Sequence, residues 1–160
     1  MIFACLGTQE FQFNRLLEKI DELVAKRLIN EDVFAQVGYS TYRPSGYRFV
    51  EFLNFDEFDN LLENCSYVIT HGGTGTIIKA IRKGKKVIAV PRLKKYGEHV
   101  DDHQKEIIEA FSEKNLILGI DSTDELGDAV SHMGDFTPEH FVSGNARIIS
   151  IIESFIKKCM

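Results

Sequence analysis

The chain alternates short apolar runs with amphipathic segments, and this alternation restricts the possible folds more than any other feature. The apolar runs predict strands over residues 2–6, 32–37, 67–70, 86–91 and 116–120, with a shorter strand over 47–52. The amphipathic segments predict helices over 13–29, 55–65, 74–84, 100–114 and 122–133, and from about residue 145. Strands that are apolar on both faces belong to parallel sheets covered by helices. The sequence therefore predicts an α/β fold with a doubly wound, Rossmann-like parallel sheet.

The length and the cysteines indicate one domain in a reducing compartment. A chain of 160 residues fits a single domain over 1–160, and no linker or repeat divides it. Cys5, Cys65 and Cys159 are odd in number and lack C-x-x-C spacing, so we expect reduced thiols. The first residues form a strand pattern rather than a signal peptide, and no apolar run approaches the ~20 residues of a membrane span. We therefore expect a cytoplasmic protein whose membrane contact is peripheral or made through a partner.

The distribution of charge is more informative than the net charge. The net charge of −5 gives no reason to expect nucleic-acid binding. However, 8 of the 19 Lys and Arg residues fall within residues 79–95, where no acid occurs, so this span carries +8 and the remainder −13. Two interpretations stay open: a solvated helix face with its loop, or a surface that meets an anion such as a diphosphate or an acidic membrane.

Two predicted strand-to-helix loops lie where a doubly wound sheet binds ligands, namely "GTQEFQF" after the first strand and "HGGTGT" from His71. Three glycines within four residues of the second loop are unfavourable unless a turn or a ligand requires them. The standard nucleotide loops do not fit: a Walker A pattern would need glycine at Lys79, and a dinucleotide fingerprint would need it at Ile78. The loop predicts a helix N-terminus that a phosphate approaches, with hydroxyls of Thr74 and Thr76 nearby. The alternative is a tight turn that lets the helix pack on the strand.

A third segment, "RLKKYGEHVDDHQ" over 92–104, is rich in histidines and acids. This density raises the question of a metal site, but the spacing does not resemble a zinc cage, and we expect none. Asp101 and Asp102 are consecutive and are best interpreted as first-turn acids of a helix. His103 and Gln104 suit hydrogen bonds to sugar hydroxyls, although solvated surface polarity is the alternative.

Together, "GTQEFQFNRLL", "YVITHGGTGTIIKAIRKGKKVIAVPR" and "YGEHVDDHQKEIIEAF" resemble the C-terminal, nucleotide-sugar-binding half of family 28 glycosyltransferases. The resemblance covers most of positions 1 to 112. It is closest to the small stand-alone version, which includes the PssE-type subunit of bacterial polysaccharide synthesis. Its eukaryotic counterpart is the catalytic subunit of the two-part transferase that adds the second GlcNAc to a dolichol-linked sugar.

The resemblance implies a GT-B C-terminal half-domain that binds a UDP-sugar and transfers the sugar with inversion to a polyprenol-diphosphate-linked acceptor. It implies no metal and no other cofactor. It places His103 and Gln104 at the donor sugar and the first loop at the cleft. The predicted substrate-binding residues are Gly7, Thr8, Gln9, His71, Gly72, Gly73, Thr74, Gly75, Thr76, Arg92, Glu98, His103 and Gln104.

Two residues depart from the family pattern. The helix after the glycine loop usually carries an acid that holds the ribose, and Lys79 stands at that position. Close bacterial relatives carry a histidine where this chain has Gln9, which cannot act as a base. These changes put recognition of the nucleoside in question, unless another acid binds the ribose.

The length implies a partner once the GT-B fold is granted, because the active site of that fold lies between two doubly wound domains. We expect a membrane-anchored, PssD-type partner that supplies the acceptor site and the catalytic base, which would hold the chain at the inner face of the cell membrane. The polar residues offer no serine–histidine–acid arrangement as an alternative. A non-catalytic stimulating subunit stays open, and an epimerase or hydrolase would need a complete cleft of its own.

Overall fold

The fold was analysed in a computed structural model, which describes residues 1–141. The strands are β1 (Ile2–Cys5), β2 (Val33–Gln36), β3 (Arg48–Val50), β4 (Tyr67–His71), β5 (Lys86–Val90) and β6 (Leu118–Gly119). The helices are α1 (Asn14–Ala25), α2 (Phe55–Asn64), α3 (Thr74–Arg82), α4 (His103–Ser112) and α5 (Leu126–His132). The helix that the sequence predicts from about residue 145 lies outside the described residues, as does Cys159.

The six strands form one parallel sheet in the order β3-β2-β1-β4-β5-β6. The chain builds outward from β1 to β3, returns to the centre, and continues outward from β4 to β6. The strand order reverses between β1 and β4, and doubly wound sheets bind ligands in the crevice at such a reversal. The register pairs Cys5 with Thr70, so the loops that follow β1 and β4 begin side by side.

Helices cover both faces of the sheet, because alternate residues of a strand point in opposite directions. In β1, Ile2 and Ala4 pack in an apolar cluster with α1 and α5. Phe3 and Cys5 pack in a second cluster with α2, α3 and α4. These two cores explain why the strands are apolar on both faces, and they confirm the doubly wound fold that the sequence predicts.

The first helix is shorter than the predicted span of 13–29. It ends at Ala25, and Arg27 adopts the left-handed conformation with φ of 58°. The N–H of Leu28 then donates to the carbonyl of Leu23 at 2.9 Å, as in a Schellman motif. This reversal leaves Leu28 58% exposed and buries Ile29 instead. Leu28, which the predicted helix over 13–29 includes, therefore lies beyond the end of the helix, and the predicted C-terminal bound is wrong.

Two other predicted helices begin later than the sequence pattern indicates. The fourth helix starts at His103 rather than at 100, and a turn of 3-10 helix at Lys94–Tyr96, which was not predicted, precedes it. Asp101 is consequently not a first-turn acid, and its carboxylate accepts the backbone N–H of His103 at 3.2 Å. The predicted helix over 122–133 divides into a 3-10 turn at Thr123–Glu125, which Ser122 caps, and α5.

The basic span over 79–95 does not form one continuous charged surface. Lys83 forms ion pairs with acids of α2, and Lys85 and Lys86 donate to backbone carbonyls. Arg92 is buried. Half of the eight charges in this span therefore stabilise the fold locally. Within residues 1–141, no helix combines the length and the apolar character that a bilayer crossing requires.

Candidate functional site

The three segments singled out in the sequence meet at the carboxyl ends of β1, β4 and β5. This convergence follows from the parallel sheet, which brings the ends of neighbouring strands to one edge. The contacts below show that buried side chains join the three segments. The ligand-binding roles of the individual residues stay predictions.

The glycines of the first two loops make room for the ring of His71. A Cβ atom built on Gly73 would lie 2.3 Å from Nε2 of His71, and one built on Gly7 would lie 2.6 Å from Cε1 of the same ring. Gly7 also adopts φ of +77°, which disfavours other residues. The close neighbour of these two glycines is thus an imidazole, and the ring holds the two loops together.

Gly72 packs closely against Gln104 at the start of α4 instead of against His71. A Cβ atom on Gly72 would lie 2.7 Å from Cβ of Gln104. The Oε1 atom of Gln104 accepts the backbone N–H groups of Gly72 and Arg92, both at 3.0 Å. Because both partners are N–H donors, the amide must present its oxygen to them. Gln104 is 2% exposed, so its oxygen fastens the β4–α3 loop to the end of β5.

Arg92 fastens the β5 end to the first loop in the same way. Its guanidinium donates to the carbonyl of Phe11 at 2.8 Å and to the carbonyl of Leu6, and the side chain is 1% exposed. Burial lowers the pKa of Arg92 to about 10, which leaves it charged at neutral pH. The sequence interpretation placed this side chain at the substrate, whereas its structural contacts are with the loop backbone.

Glu98 is also engaged inside the protein. Arg15 of α1 holds both of its carboxylate oxygens, with Nε to Oε1 at 2.7 Å and Nη2 to Oε2 at 3.0 Å. The backbone N–H of Leu93 donates to Oε2 at 2.9 Å. Glu98 is 1% exposed, so these bonds orient the segment after β5 rather than offer a free carboxylate. Arg15 was not among the predicted site residues.

An open cavity of about 290 Å³ lies at the carboxyl ends of β1 and β2, where Cys5 and Gln36 line it. Its walls come from the β1 loop with Gly7 and Thr8, from the start of α3 with Gly75 and Thr76, and from the start of α2. A Cβ atom on Gly75 would meet no atom of residues 1–141 within 4 Å. Gly75 is therefore the glycine of this cluster whose missing side chain leaves space free for a ligand.

The N-terminus of α3 is available at this cavity. Its N-cap residue is Gly73, which has no side chain to accept the N–H groups of the first turn. The N–H groups of Thr74, Gly75 and Thr76 come before the first hydrogen bond of the helix. In that bond the N–H of Ile77 donates to the carbonyl of Gly73. Free N–H groups and the positive end of the helix dipole favour an anion.

The charges of the cavity also suit an anion. Lys79 contributes to the wall, and its ammonium lies 4.8 Å from the ring centre of Phe55 and 5.2 Å from that of Phe58. Among residues 1–141, none of those that line this cavity is Asp or Glu. No acid in the cavity wall thus replaces the one that the family carries at position 79.

The other predicted residues lie around this site. Thr8 and Gln9 are exposed in the first loop, and Thr8 lines the cavity whereas Gln9 does not. His103 is half-buried at the first position of α4, where it contacts the carboxylate of Asp101. Sequence reasoning missed Arg15, Asn54, Phe55 and Phe58, because their proximity to the loops depends on packing between distant segments.

Burial keeps His71 neutral. Desolvation, followed by the positive charge of Arg92, lowers the pKa of His71 to about 3. The folded pKa lies below the ordinary value of 6.5, so the unfolded chain binds the proton first as the pH falls. The ring therefore faces the two loops as an uncharged imidazole at neutral pH.

We expect the free energy of unfolding to fall by about 2 kcal/mol as the pH is lowered from about 6.5 to about 5, since each unit is worth about 1.4 kcal/mol. This contribution is complete above pH 6.5 and decreases until the pH reaches the folded pKa. Urea unfolding of the wild type and of His71→Gln at both pH values measures it. An equally steep pH dependence in the variant would assign the effect to other groups.

The family of the chain follows from comparison with known sequences. A sequence model of the glycosyltransferase family 28 C-terminal domain matches residues 1–140. The chain belongs to this family. The resemblance inferred from the three motifs is thus confirmed at the level of the family.

Two curated relatives carry the same name, UDP-N-acetylglucosamine transferase subunit ALG13. The protein of Candida glabrata is 30% identical over 122 residues, which cover 73% of this chain and 57% of that protein. The protein of Kluyveromyces lactis is 32% identical over 65 residues, which cover 41% of this chain and 31% of that protein. The matches therefore span 31% to 57% of the length of these relatives.

Solved structures share the fold at lower identity. The glycosyltransferase of kitacinnamycin superposes with a TM-score of 0.61 and 19% identity, covering 82% of this chain and 34% of that one. SnogD from Streptomyces nogalater superposes with a TM-score of 0.53 and 18% identity, covering 86% of this chain and 40% of that one. At these identities the likeness concerns the fold alone, and it agrees with half of a GT-B enzyme.

Proposed function

We propose that this chain is the donor-binding, catalytic subunit of an inverting transferase that moves a sugar from a UDP-sugar to a polyprenol-diphosphate-linked acceptor. The observation that carries the proposal is the cavity at the carboxyl ends of β1 and β2, with the uncapped start of α3 in its wall. A nucleoside diphosphate fits such a site because its charge matches the free N–H groups and the nucleoside can occupy the adjoining cavity.

The diphosphate would bind at the first turn of α3. Gly75 leaves space for a close approach, and the hydroxyl of Thr76 lies at the cavity. Lys79 supplies a positive charge, and the described part of the chain places no carboxylate in the same cavity wall to neutralise it. His103 and Gln104 would face the donor sugar, with the Gln104 oxygen retained by the backbone as described above.

The proposed reaction breaks the bond between the anomeric carbon and the diphosphate while the acceptor hydroxyl forms the new bond from the opposite side. The N–H groups of α3 would stabilise the negative charge that develops on the leaving diphosphate. We propose that this stabilisation needs no metal at the diphosphate and no other cofactor. The acceptor hydroxyl also needs a base within hydrogen-bond reach. We assign that base to a second protein.

Two findings support a shared active site. The curated relatives are named as subunits of a UDP-N-acetylglucosamine transferase. The solved glycosyltransferases are more than twice as long as the part that this chain matches. We propose a membrane-anchored, PssD-type partner in exopolysaccharide or capsule synthesis, with this chain cytoplasmic and peripheral to the inner face of the membrane.

Binding of UDP to the isolated chain tests the donor site. We expect UDP and UDP-sugars to raise the melting temperature and to bind in calorimetry, because the cavity and α3 belong to this chain alone. The absence of any shift at millimolar UDP, in a protein that circular dichroism shows to be folded, would contradict the proposal. Sugar transfer should require the partner, and robust transfer by the isolated chain would contradict the shared site.

The second candidate is a non-catalytic stimulating subunit with a degenerate donor site, which Lys79 favours. The same titration on Lys79→Glu distinguishes the two. A carboxylate can accept hydrogen bonds from ribose hydroxyls. A large gain in UDP affinity in the variant would therefore indicate that the natural site is degenerate. Equal or weaker UDP binding would indicate that Lys79 belongs to a working donor site.

A further inference from the structure

Three side chains converge just before and at the start of α4: His99, Asp101 and His103. One potential ligand atom of each lies within 4.8 Å of the other two. His99 is buried, His103 is half-buried and Asp101 is exposed, so the cluster is open to solvent on one side. Of its members, only His103 has a proposed role in donor binding, and neither the fold nor the diphosphate site accounts for the convergence of the three side chains.

The hydrogen bonds of the cluster conflict with one another. The Oδ1 atom of Asp101 faces Nδ1 of His99 at 3.3 Å, Nδ1 of His103, and the backbone N–H of His103 at 3.2 Å. The backbone N–H of Asp101 in turn points to Nδ1 of His99 at 3.5 Å. This contact requires Nδ1 to act as a hydrogen-bond acceptor. One oxygen thus meets three nitrogens, and Nδ1 of His99 is needed as both donor and acceptor.

A divalent cation would take the lone pairs of both imidazoles and of the carboxylate, so Nδ1 of His99 would no longer have to donate to Asp101, and the 3.5 Å contact from the Asp101 N–H would be given up. Zinc binds histidine nitrogen and carboxylate oxygen at about 2.0–2.2 Å in tetrahedral geometry, which separates neighbouring ligand atoms by about 3.4 Å. The distance of 3.3 Å between Nδ1 of His99 and Oδ1 of Asp101 already matches this value. A rotation of the exposed Asp101 side chain would open its closer contact with His103.

The surroundings hold the ligands in place and balance the charge. The ring of His99 packs on Phe11 with centroids 5.3 Å apart, and the backbone carbonyl of Phe11 is fixed by Arg92. The ring of His103 packs edge-on against His99 at 4.6 Å. Arg92 and the positive end of α4 oppose a cation, and the carboxylates of Asp101 and Asp102 offset them.

We propose that His99, Asp101 and His103 bind a divalent transition-metal ion of the zinc class. Two imidazoles and one carboxylate favour such ions over magnesium, which prefers oxygen ligands. Three protein ligands leave a position for water or for an oxygen of a ligand. The site departs from the sequence-based expectation of no metal site. It is separate from the proposed diphosphate seat on α3.

Calorimetric titration of the chelator-treated chain with Zn²⁺ tests the site. We expect one ion per chain, and we expect His103→Gln and Asp101→Asn each to weaken binding at least about tenfold, since each removes a ligand. His132→Gln is the matched control, because His132 is exposed on α5 and lies outside the cluster. It should leave the affinity unchanged.

Cobalt spectroscopy identifies the ligands independently. The Co²⁺ form should show visible bands of nitrogen and oxygen coordination that disappear in His103→Gln. A thiolate charge-transfer band, Zn²⁺ binding unchanged in both cluster variants, or no stoichiometric binding to the folded chain would overturn the proposal. UDP titration of the metal-free chain tests the donor site separately, so either proposal can fail without the other.

Discussion

Replacing Gly73 with aspartate is expected to lower UDP affinity by at least about 100-fold, which corresponds to about 3 kcal/mol. The new Cβ would lie 2.3 Å from Nε2 and 2.8 Å from Cε1 of His71. The ring has little room to move away, because Gly7 also packs closely on it and a Cβ atom there would lie 2.6 Å from Cε1. An aspartate at this N-cap position would also accept the N–H groups of α3 itself and compete with the diphosphate.

Gly75→Ala separates the fold from the binding site. No atom of the described residues lies within 4 Å of the new Cβ, and alanine in a helix is about 0.5–1 kcal/mol more favourable than glycine. We therefore expect this variant to be at least as stable as the wild type, yet to bind UDP more weakly, because its methyl group enters the cavity. Thermal unfolding and calorimetry measure the two effects.

Full UDP affinity in Gly73→Asp would show that the diphosphate does not bind at α3.

Arg92→Met is expected to lower the free energy of unfolding by about 3 kcal/mol or more. The guanidinium makes hydrogen bonds to the carbonyls of Leu6 and Phe11, and bonds from charged donors are each worth about 1.5–3 kcal/mol. Methionine fills much of the same volume but leaves these carbonyls without donors. The loop that carries Gly7 and Thr8 should loosen as a result, so UDP affinity should fall as well.

Arg48→Met is the control for this change. Arg48 is exposed at the edge of the sheet and rests on Phe34, so its replacement should change stability by no more than about 0.5 kcal/mol. Urea unfolding of both variants gives the comparison. Similar free energies of unfolding for Arg92→Met and Arg48→Met would mean that the buried guanidinium contributes little to stability, which would contradict this prediction.

The structure changes the meaning of several residues that the sequence singles out. His71, Gly72 and Gly73 were interpreted through a ligand, but the space above the glycines is filled by His71 and Gln104. The tight-turn alternative is therefore part of the answer. Gly75 retains the ligand interpretation, because its surroundings are open. A run of glycines in a sequence indicates that some group packs closely against the backbone. It does not identify that group as a ligand or as a side chain of the protein.

The predicted roles of Arg92 and Glu98 show the same limit. Charged residues near a cleft are reasonable substrate contacts when only the sequence is known. Their buried positions depend on partners far along the chain: Arg15 is 83 residues from Glu98, and Leu6 is 86 residues from Arg92. Such pairings leave no periodic pattern in the sequence, so sequence reasoning did not find them.

The sequence by itself determined the doubly wound fold, the family, and the three loops that meet at the cleft. Strand and helix periodicity are local properties, and a parallel sheet brings the ends of its strands to one edge. Only the tertiary structure decided which atoms meet at that edge. It placed His71 between two glycines, left Gly75 open, and turned His99 and His103 toward Asp101. These contacts depend on how distant segments pack, because packing brings together side chains that local sequence patterns do not relate.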